Sequence, residues 1–187
     1  MYYELYEKYK RSLYFFFDES KSEISWLNFF KGVSIDSPKI LYYNVDIIDS
    51  YIVEYDFLPV SSGPPLVSEK FRNTFIELEN EQLQFIPAKI IDKEGNINDM
   101  FYSLNILNLI ECLDKKKSVF KINSYESYEI KKLYIDSKLI KNNLDIIRLK
   151  EDELRIIINE NFKKKSEIAK LKGMSFVEEG YSIYTNL

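Results

Sequence analysis

The chain contains no histidine and a single cysteine, Cys112, so its fold must hold together without a disulfide or a thiolate zinc site. Its 187 residues are enough to bury a sizeable apolar core, which makes such crosslinks unnecessary. Hydrophobic residues make up 45% of the chain and charged residues 30%, which is typical of a globular protein and not of a disordered one. The sequence therefore predicts a protein that folds around an apolar core alone.

The same two features bear on function. Histidine is the commonest general base, the commonest metal ligand and the usual pH switch, and the chain has none. A Ser–His or Cys–His nucleophile therefore cannot be assembled. No glycine-rich phosphate loop, metal-ligand cluster or redox motif indicates a bound cofactor. We expect a protein that is not an enzyme and that needs no metal or cofactor.

The sequence also carries expectations about the compartment. No basic segment followed by an apolar stretch indicates a signal peptide. The longest charge-free apolar stretch, from Met100 to Ile110, is much shorter than the roughly 20 residues that cross a bilayer. A lone cysteine agrees with a reducing environment. These features predict a cytoplasmic protein that does not bind a membrane, and they carry no signal for its oligomeric state.

Charge is distributed unevenly along the chain. Residues 1–113 contain 10 Lys or Arg against 18 Asp or Glu, whereas residues 114–187 contain 16 against 12. An acidic first half argues against binding to nucleic acid and favours a basic protein partner. Individual surface charges more often serve only to keep a protein in solution.

The densest acidic group in that half is Asp46, Asp49, Glu54 and Asp56, and we predict that these residues contact the partner. If residues 51–57 form a strand, Glu54 and Asp56 share one face of it and could act as a catalytic carboxylate pair. A solvated strand face is the simpler interpretation of the same pattern.

Alternating apolar residues and turn signals predict several strands. Residues 51–58 alternate and are rich in β-formers, and Leu83–Ile91 has the pattern of a strand in which Pro87 indicates an edge position or a bulge. Two β-rich runs, residues 144–149 and 154–158, are joined by a short polar stretch and predict a hairpin.

Two helices are predicted by their first residues. Ser68 and Asn159 can each cap a helix N-terminus, and each is followed by an acidic residue that suits the helix dipole. The second helix is predicted to reach about residue 171 and to stop at Gly173. Together these patterns predict an α+β fold that has a largely antiparallel sheet and a few packed helices.

Two stretches of the chain, residues 66–72 and 157–163, match each other at an offset of 91 positions. They fit a duplicated strand–helix–strand unit, but chance is an equally good explanation because a cap followed by Glu is a common helix start. The Gly-Pro-Pro segment at residues 61–65 either separates a subdomain of residues 1–60 from a core of residues 61–187 or is a surface loop. In the second case residues 1–187 form a single domain.

Several segments, in order, are similar to one bacterial immunity-protein family. Residues 66–71 read LVSEKF, residues 85–88 read FIPA, and residues 102–114 read YSLNILNLIECLD and are followed by Ser118. The last matching pieces run from Ile147-Arg148-Leu149 to Gly173-Met174-Ser175-Phe176. The family is the eleventh in the immunity series of polymorphic toxin systems and was formerly a domain of unknown function. The chain departs from it at Asn159, where Ser is commoner, and at Phe71 and Phe162, where Leu is commoner.

The resemblance implies an antitoxin that binds and neutralises a cognate toxin domain by direct occlusion. The alternative is a non-catalytic adaptor or scaffold protein in a complex. Matching residues such as Ser68, Asp114 and Phe162 also have structural roles as caps, turn residues or core. We therefore expect the toxin contacts in the first third of the chain, where acidic and aromatic residues interleave.

Overall fold

The computed structural model describes residues 1–10, 13–141 and 144–181. The strands in these ranges are β1 (Tyr2–Glu7), β2 (Phe15–Phe17), β3 (Leu41–Asn44), β4 (Phe57–Leu58), β5 (Val60–Ser62), β6 (Leu66–Ser68), β7 (Leu83–Ile91), β8 (Ile97–Ile106), β9 (Leu109–Ile110), β10 (Val119–Ile122), β11 (Tyr128–Lys132), β12 (Ile146–Leu149), β13 (Asp152–Asn159) and β14 (Met174–Glu178). The α-helices are α1 (Glu19–Ser22), α2 (Glu69–Thr74) and α3 (Glu160–Ile168), and 3-10 turns lie at Trp26–Phe30, Ile52–Glu54, Ile76–Leu78 and Ser137–Leu139.

The described chain is mostly β, so the prediction of an α+β fold with packed helices is wrong. Its strands form three sheets of seven, five and two strands, while α1, α2 and α3 have only 4, 6 and 9 residues. The helix starts were recognised correctly, but a start signal does not set helix length. Each helix ends after one to three turns, and the Ile-, Tyr- and Phe-rich remainder pairs as strands because these residues fit a pleated, half-buried surface.

The seven-stranded sheet has the order β4-β6-β8-β7-β3-β2-β5 and is nearly barrel-shaped. Its two end strands are consecutive in the chain, separated only by Pro59. The first of them pairs with β6, and the second pairs with β2 at the opposite end of the sheet. One short segment therefore bends the sheet round so that its two ends meet.

Within this sheet, Leu83–Ile91 lies between two neighbours, which corrects the edge position suggested by Pro87. The alternative, a bulge, agrees with the register shift between Ala88 and Ile90. The strand pairs with β8 along its length and with β3 from Ala88 onward. Pro87 lies just before that second pairing starts, and its ring is exposed. Proline has no backbone N–H to donate, and it is tolerated at this position because the pairing with β3 has not yet begun there.

The five-stranded sheet has the order β14-β1-β13-β12-β9. The predicted hairpin is confirmed as β12 and β13, which pair antiparallel. β1, from the start of the chain, lies between β13 and β14 and pairs antiparallel with both. The division of the chain near residue 60 stays a prediction.

Both predicted helix caps are confirmed. The Ser68 hydroxyl accepts a hydrogen bond from the Phe71 backbone N–H at 3.1 Å, and the Asn159 side chain accepts one from the Phe162 N–H at 3.0 Å. Phe71 and Phe162 are fully buried. In each case the strand before the helix and the strand after it run parallel, with one antiparallel strand between them.

Gly173 does not end the last helix as predicted. α3 ends at Ile168, and Lys170 takes the left-handed conformation, with φ of 51°. Gly173 has φ of 99° and packs against the backbone of Phe57, where a side chain would collide with the Phe57 carbonyl oxygen. The glycine is therefore required for a close crossing between the two large sheets.

Candidate interaction surfaces

The four predicted partner-binding acids lie in or beside the connection between β3 and β4, residues 45–56. The strand predicted for residues 51–58 forms only at its end, because residues 52–54 form a 3-10 turn and β4 starts only at residue 57. Asp46 and Glu54 are exposed and Asp49 is half-buried, whereas Asp56 is only 7% exposed. The structure therefore brings three of the four acids to the surface.

Asp56 holds three segments together. Its carboxylate accepts hydrogen bonds from the Ser68 hydroxyl at 2.7 Å and from the Lys172 backbone N–H at 2.8 Å, and Lys70 lies 3.7 Å away. These contacts join residue 56 to the start of α2 and to the segment after α3. The hypothesis of a carboxylate pair on one strand face is wrong, since Glu54 belongs to an exposed turn and Asp56 to the interior.

Asp92 fixes the base of the 45–56 connection. Its carboxylate accepts hydrogen bonds from the Ile48 backbone N–H at 3.2 Å and, in the β7–β8 turn, from the N–H groups of Glu94 and Asn96 and the Asn96 side chain. The hydrogen bond from the Asn96 side chain is the main cause of a lowered pKa for Asp92, and the backbone donors add to it. Nearby, Asp46 forms an exposed ion pair with Lys93 at 2.7 Å. The connection is thus tied to the neighbouring β-turn.

Apolar side chains are exposed between these acids. Ile47 is 52% exposed, Tyr51 is 47% exposed and Val53 is 55% exposed. Exposed apolar groups next to charges are typical of a protein-binding surface when they are clustered on a segment that is held in place. We call the exposed side chains of residues 46–54 the acidic–apolar segment.

A cleft of about 480 Å³ lies between the five-stranded sheet and the β4–β5 end of the seven-stranded sheet. Its polar lining includes Glu4, Arg148 and Arg155, and its aromatic lining includes Trp26 and Phe30. Sequence reasoning missed Arg148 as a functional candidate. The signal was present, because a cation within a run of Ile and Leu stands out, and all four residues of Ile146–Leu149 prove to be buried.

A second groove, of about 640 Å³, carries charges of both signs. It is lined by Lys115, Lys116, Lys117 and Lys138 together with acidic residues of the neighbouring turns. Below it, burial raises the pKa of Cys112 to about 12, and the charges of two nearby carboxylates add to the effect. A thiol in that state is a poor nucleophile.

Within residues 1–10, 13–141 and 144–181, no three carboxylate or thiol side chains come together in a way that could hold a metal ion. No α-helix in the same ranges is long and apolar enough to cross a membrane.

The described part of the chain is a β scaffold on which Asp92 holds a connection that exposes acidic and apolar side chains. The sequence matches the immunity protein family Imm11 over residues 32–180, so the chain belongs to this family. The match covers most of the chain and confirms the resemblance found from the motifs. No curated protein matches the sequence.

Proposed function

We propose that this protein is a cytoplasmic, non-catalytic immunity protein that binds its cognate toxin domain and neutralises it by direct occlusion. Its membership of the Imm11 family carries this proposal, because the family consists of immunity proteins. An inhibitor of this kind needs a stable surface complementary to one partner and no reactive groups of its own.

The acidic–apolar segment is the contact surface that we propose. Asp46, Asp49 and Glu54 supply negative charge that would attract a basic toxin domain and orient it during the encounter. Tyr51 and Val53 supply apolar area that the toxin would cover, and such desolvated contacts set how long a complex lasts. Support comes from the exposure of these side chains and from the anchoring of the segment by Asp92.

The test is co-expression with the toxin domain encoded by the neighbouring gene. The protein should restore growth of cells that make this toxin, and the purified pair should form a complex. If the protein shows neither rescue nor binding with that toxin, the immunity role is rejected and an adaptor or scaffold protein is favoured instead.

The contact surface is tested separately with two triple variants that lose the same charge. Asp46→Asn, Asp49→Asn and Glu54→Gln alter the segment, while Glu126→Gln, Glu129→Gln and Glu167→Gln alter exposed acids elsewhere. Only the first variant should weaken binding. If both variants bind the toxin equally well, the acidic–apolar segment is not part of the interface, and the proposed immunity role is unaffected.

A further inference from the structure

The cleft between the two large sheets has a size and a lining suited to a small ligand. Its volume of about 480 Å³ lies within the usual range for ligand pockets. Its apolar and aromatic lining includes Trp26, Phe30, Val60 and Ile156. Pockets of this kind usually combine an apolar wall with a few fixed polar groups.

Arg148 is a buried cation in this lining whose donors are only partly satisfied. The residue is 2% exposed, and its guanidinium carbon lies 4.5 Å from the centre of the Phe30 ring. Nη1 donates a hydrogen bond to the Glu153 backbone carbonyl at 2.8 Å, but Nε has no acceptor among the described residues. No described carboxylate forms an ion pair with this guanidinium, and the negative charge of Glu153 acts on it only from beyond ion-pair distance.

Arg155 lines the same cleft and, unlike Arg148, has carboxylate partners for its guanidinium group. It forms ion pairs with Glu4 at 2.6 Å and with Asp152 at 2.8 Å, and it donates a further hydrogen bond to the Ile130 carbonyl. Glu4 and Asp152 are thus paired with Arg155, whereas Arg148 forms no ion pair among the described residues and has only the longer-range attraction of Glu153.

The buried charge of Arg148 persists at neutral pH. Burial lowers the pKa of its guanidinium to about 10, which still leaves the group protonated at pH 7. A buried and unpaired charge is destabilising, and a carboxylate beside it removes that cost when hydrogen bonds also form. An arginine offers a planar set of donors that matches a carboxylate in a two-point interaction.

We propose that this cleft is a binding site for a carboxylate carried on an apolar or aromatic body. Arg148 binds the carboxylate, and the body packs against Trp26 and Phe30. The carboxylate belongs either to a small free acid or to an acidic side chain of another protein, and both sources present the same chemistry to the site.

Trp26 is the only tryptophan of the chain, so its fluorescence reports on the cleft directly. The wild-type protein is titrated with phenylacetate and, as a neutral control of the same shape, with phenylacetamide. We expect saturable binding of the acid that is roughly tenfold to a hundredfold tighter than binding of the amide, as for a hydrogen-bonded charge. An equal response to both compounds, or none to either, overturns the proposal without any variant.

Two substitutions locate the preference. Arg148→Met should abolish the preference for the acid, while Arg72→Met, which removes a half-buried arginine of α2 outside the cleft, should leave the titration unchanged. The thermal midpoint of Arg148→Met should equal or exceed that of the wild type, because a buried charge that forms no ion pair among the described residues has been removed. A folded Arg148→Met protein that keeps the wild-type preference would contradict the assignment.

A second pair of probes identifies the source of the carboxylate. Acetyl-Phe-Glu-amide presents it as a side chain, and acetyl-Phe-Gln-amide is the neutral match. Tighter binding of the Glu peptide than of phenylacetate supports an acidic side chain of a partner. Tighter binding of phenylacetate supports a free acid.

Discussion

Phe75 and Phe162 stack face to face, with ring centroids 4.0 Å apart and ring planes 4° from parallel. Phe75 follows α2, which leaves the seven-stranded sheet, and Phe162 lies in α3, which leaves the five-stranded sheet. Phe71 contacts both rings, at 5.0 Å and 6.2 Å, and all three side chains are fully buried. This cluster therefore joins the two large sheets through their helices.

Truncating Phe162 to alanine should lower the free energy of unfolding by about 3–5 kcal/mol, through lost burial and the cavity left behind. The matched control is Lys164→Ala on the exposed side of the same helix, which should cost less than about 0.5 kcal/mol. Urea denaturation of both variants measures the difference. A wild-type midpoint for Phe162→Ala would show that the aromatic stack contributes little.

Gly173→Ala should destabilise the protein by about 1–3 kcal/mol or more. The alanine would have to adopt a left-handed backbone conformation, and its methyl group would also collide with the Phe57 carbonyl oxygen. Gly95→Ala is an informative comparison. That glycine also has a positive φ, of 86°, but a Cβ there would meet no neighbouring atom. Thermal unfolding should rank Gly173→Ala as the less stable variant, and the reverse order would mean that the close crossing tolerates a methyl group.

Asp92 should make the stability of the protein depend on acid pH. Its pKa is lowered in the folded protein, so the carboxylate contributes stability above its usual value of 3.8 and loses that contribution as pH falls through the folded-state pKa. Asp92→Asn should therefore be less stable than the wild type at pH 7, and the gap should narrow at pH values below 3.8.

Unfolding in urea across this pH range measures the gap. Asp99→Asn, at an exposed position on β8, controls for the loss of one negative charge. A gap that stays constant with pH would show that Asp92 stabilises the connection in the same way whether or not it is charged.

The acidic–apolar segment should affect association and dissociation differently. Neutralising Asp46, Asp49 and Glu54 should lower the rate of association with the toxin more than it raises the rate of dissociation. The effect should shrink with added salt, since screening acts over about 10 Å at 0.1 M. Tyr51→Ala should mainly speed dissociation.

Surface-immobilised binding at two salt concentrations separates these effects. If the association rate does not change with salt, the complex still forms, but electrostatic attraction does not contribute to its formation.

Features that depend on neighbouring residues could be predicted from the sequence. The caps at Ser68 and Asn159 and the hairpin of β12 and β13 are local, because a side chain reaches a backbone N–H three residues away or a short loop reverses the chain. Features that depend on distant pairing could not. Pro87 indicated an edge position or a bulge, and the choice between them could not be made because the position of β3 beside the strand is set by the arrangement of the whole sheet.

The candidate site also combines features set by neighbouring residues with features set by distant ones. The acidic cluster was visible in the sequence, but its separation into three surface groups and the buried Asp56 depends on Ser68 and Lys172, which are remote in the chain. Arg148 was included in a motif without a role of its own, because only the folded arrangement shows that Glu4 and Asp152 pair with Arg155 while Arg148 is buried with an unsatisfied Nε.

The position of β1 determines when the five-stranded sheet can form during synthesis. Tyr3 on this strand bonds to Glu160, 157 residues away, and both of its neighbouring strands leave the ribosome long after it does. The strands of the seven-stranded sheet all lie between residues 15 and 106, so that sheet can close while translation continues. β1 therefore stays unpaired until β13 has emerged, and it gains its second neighbour, β14, only after α3 has been made.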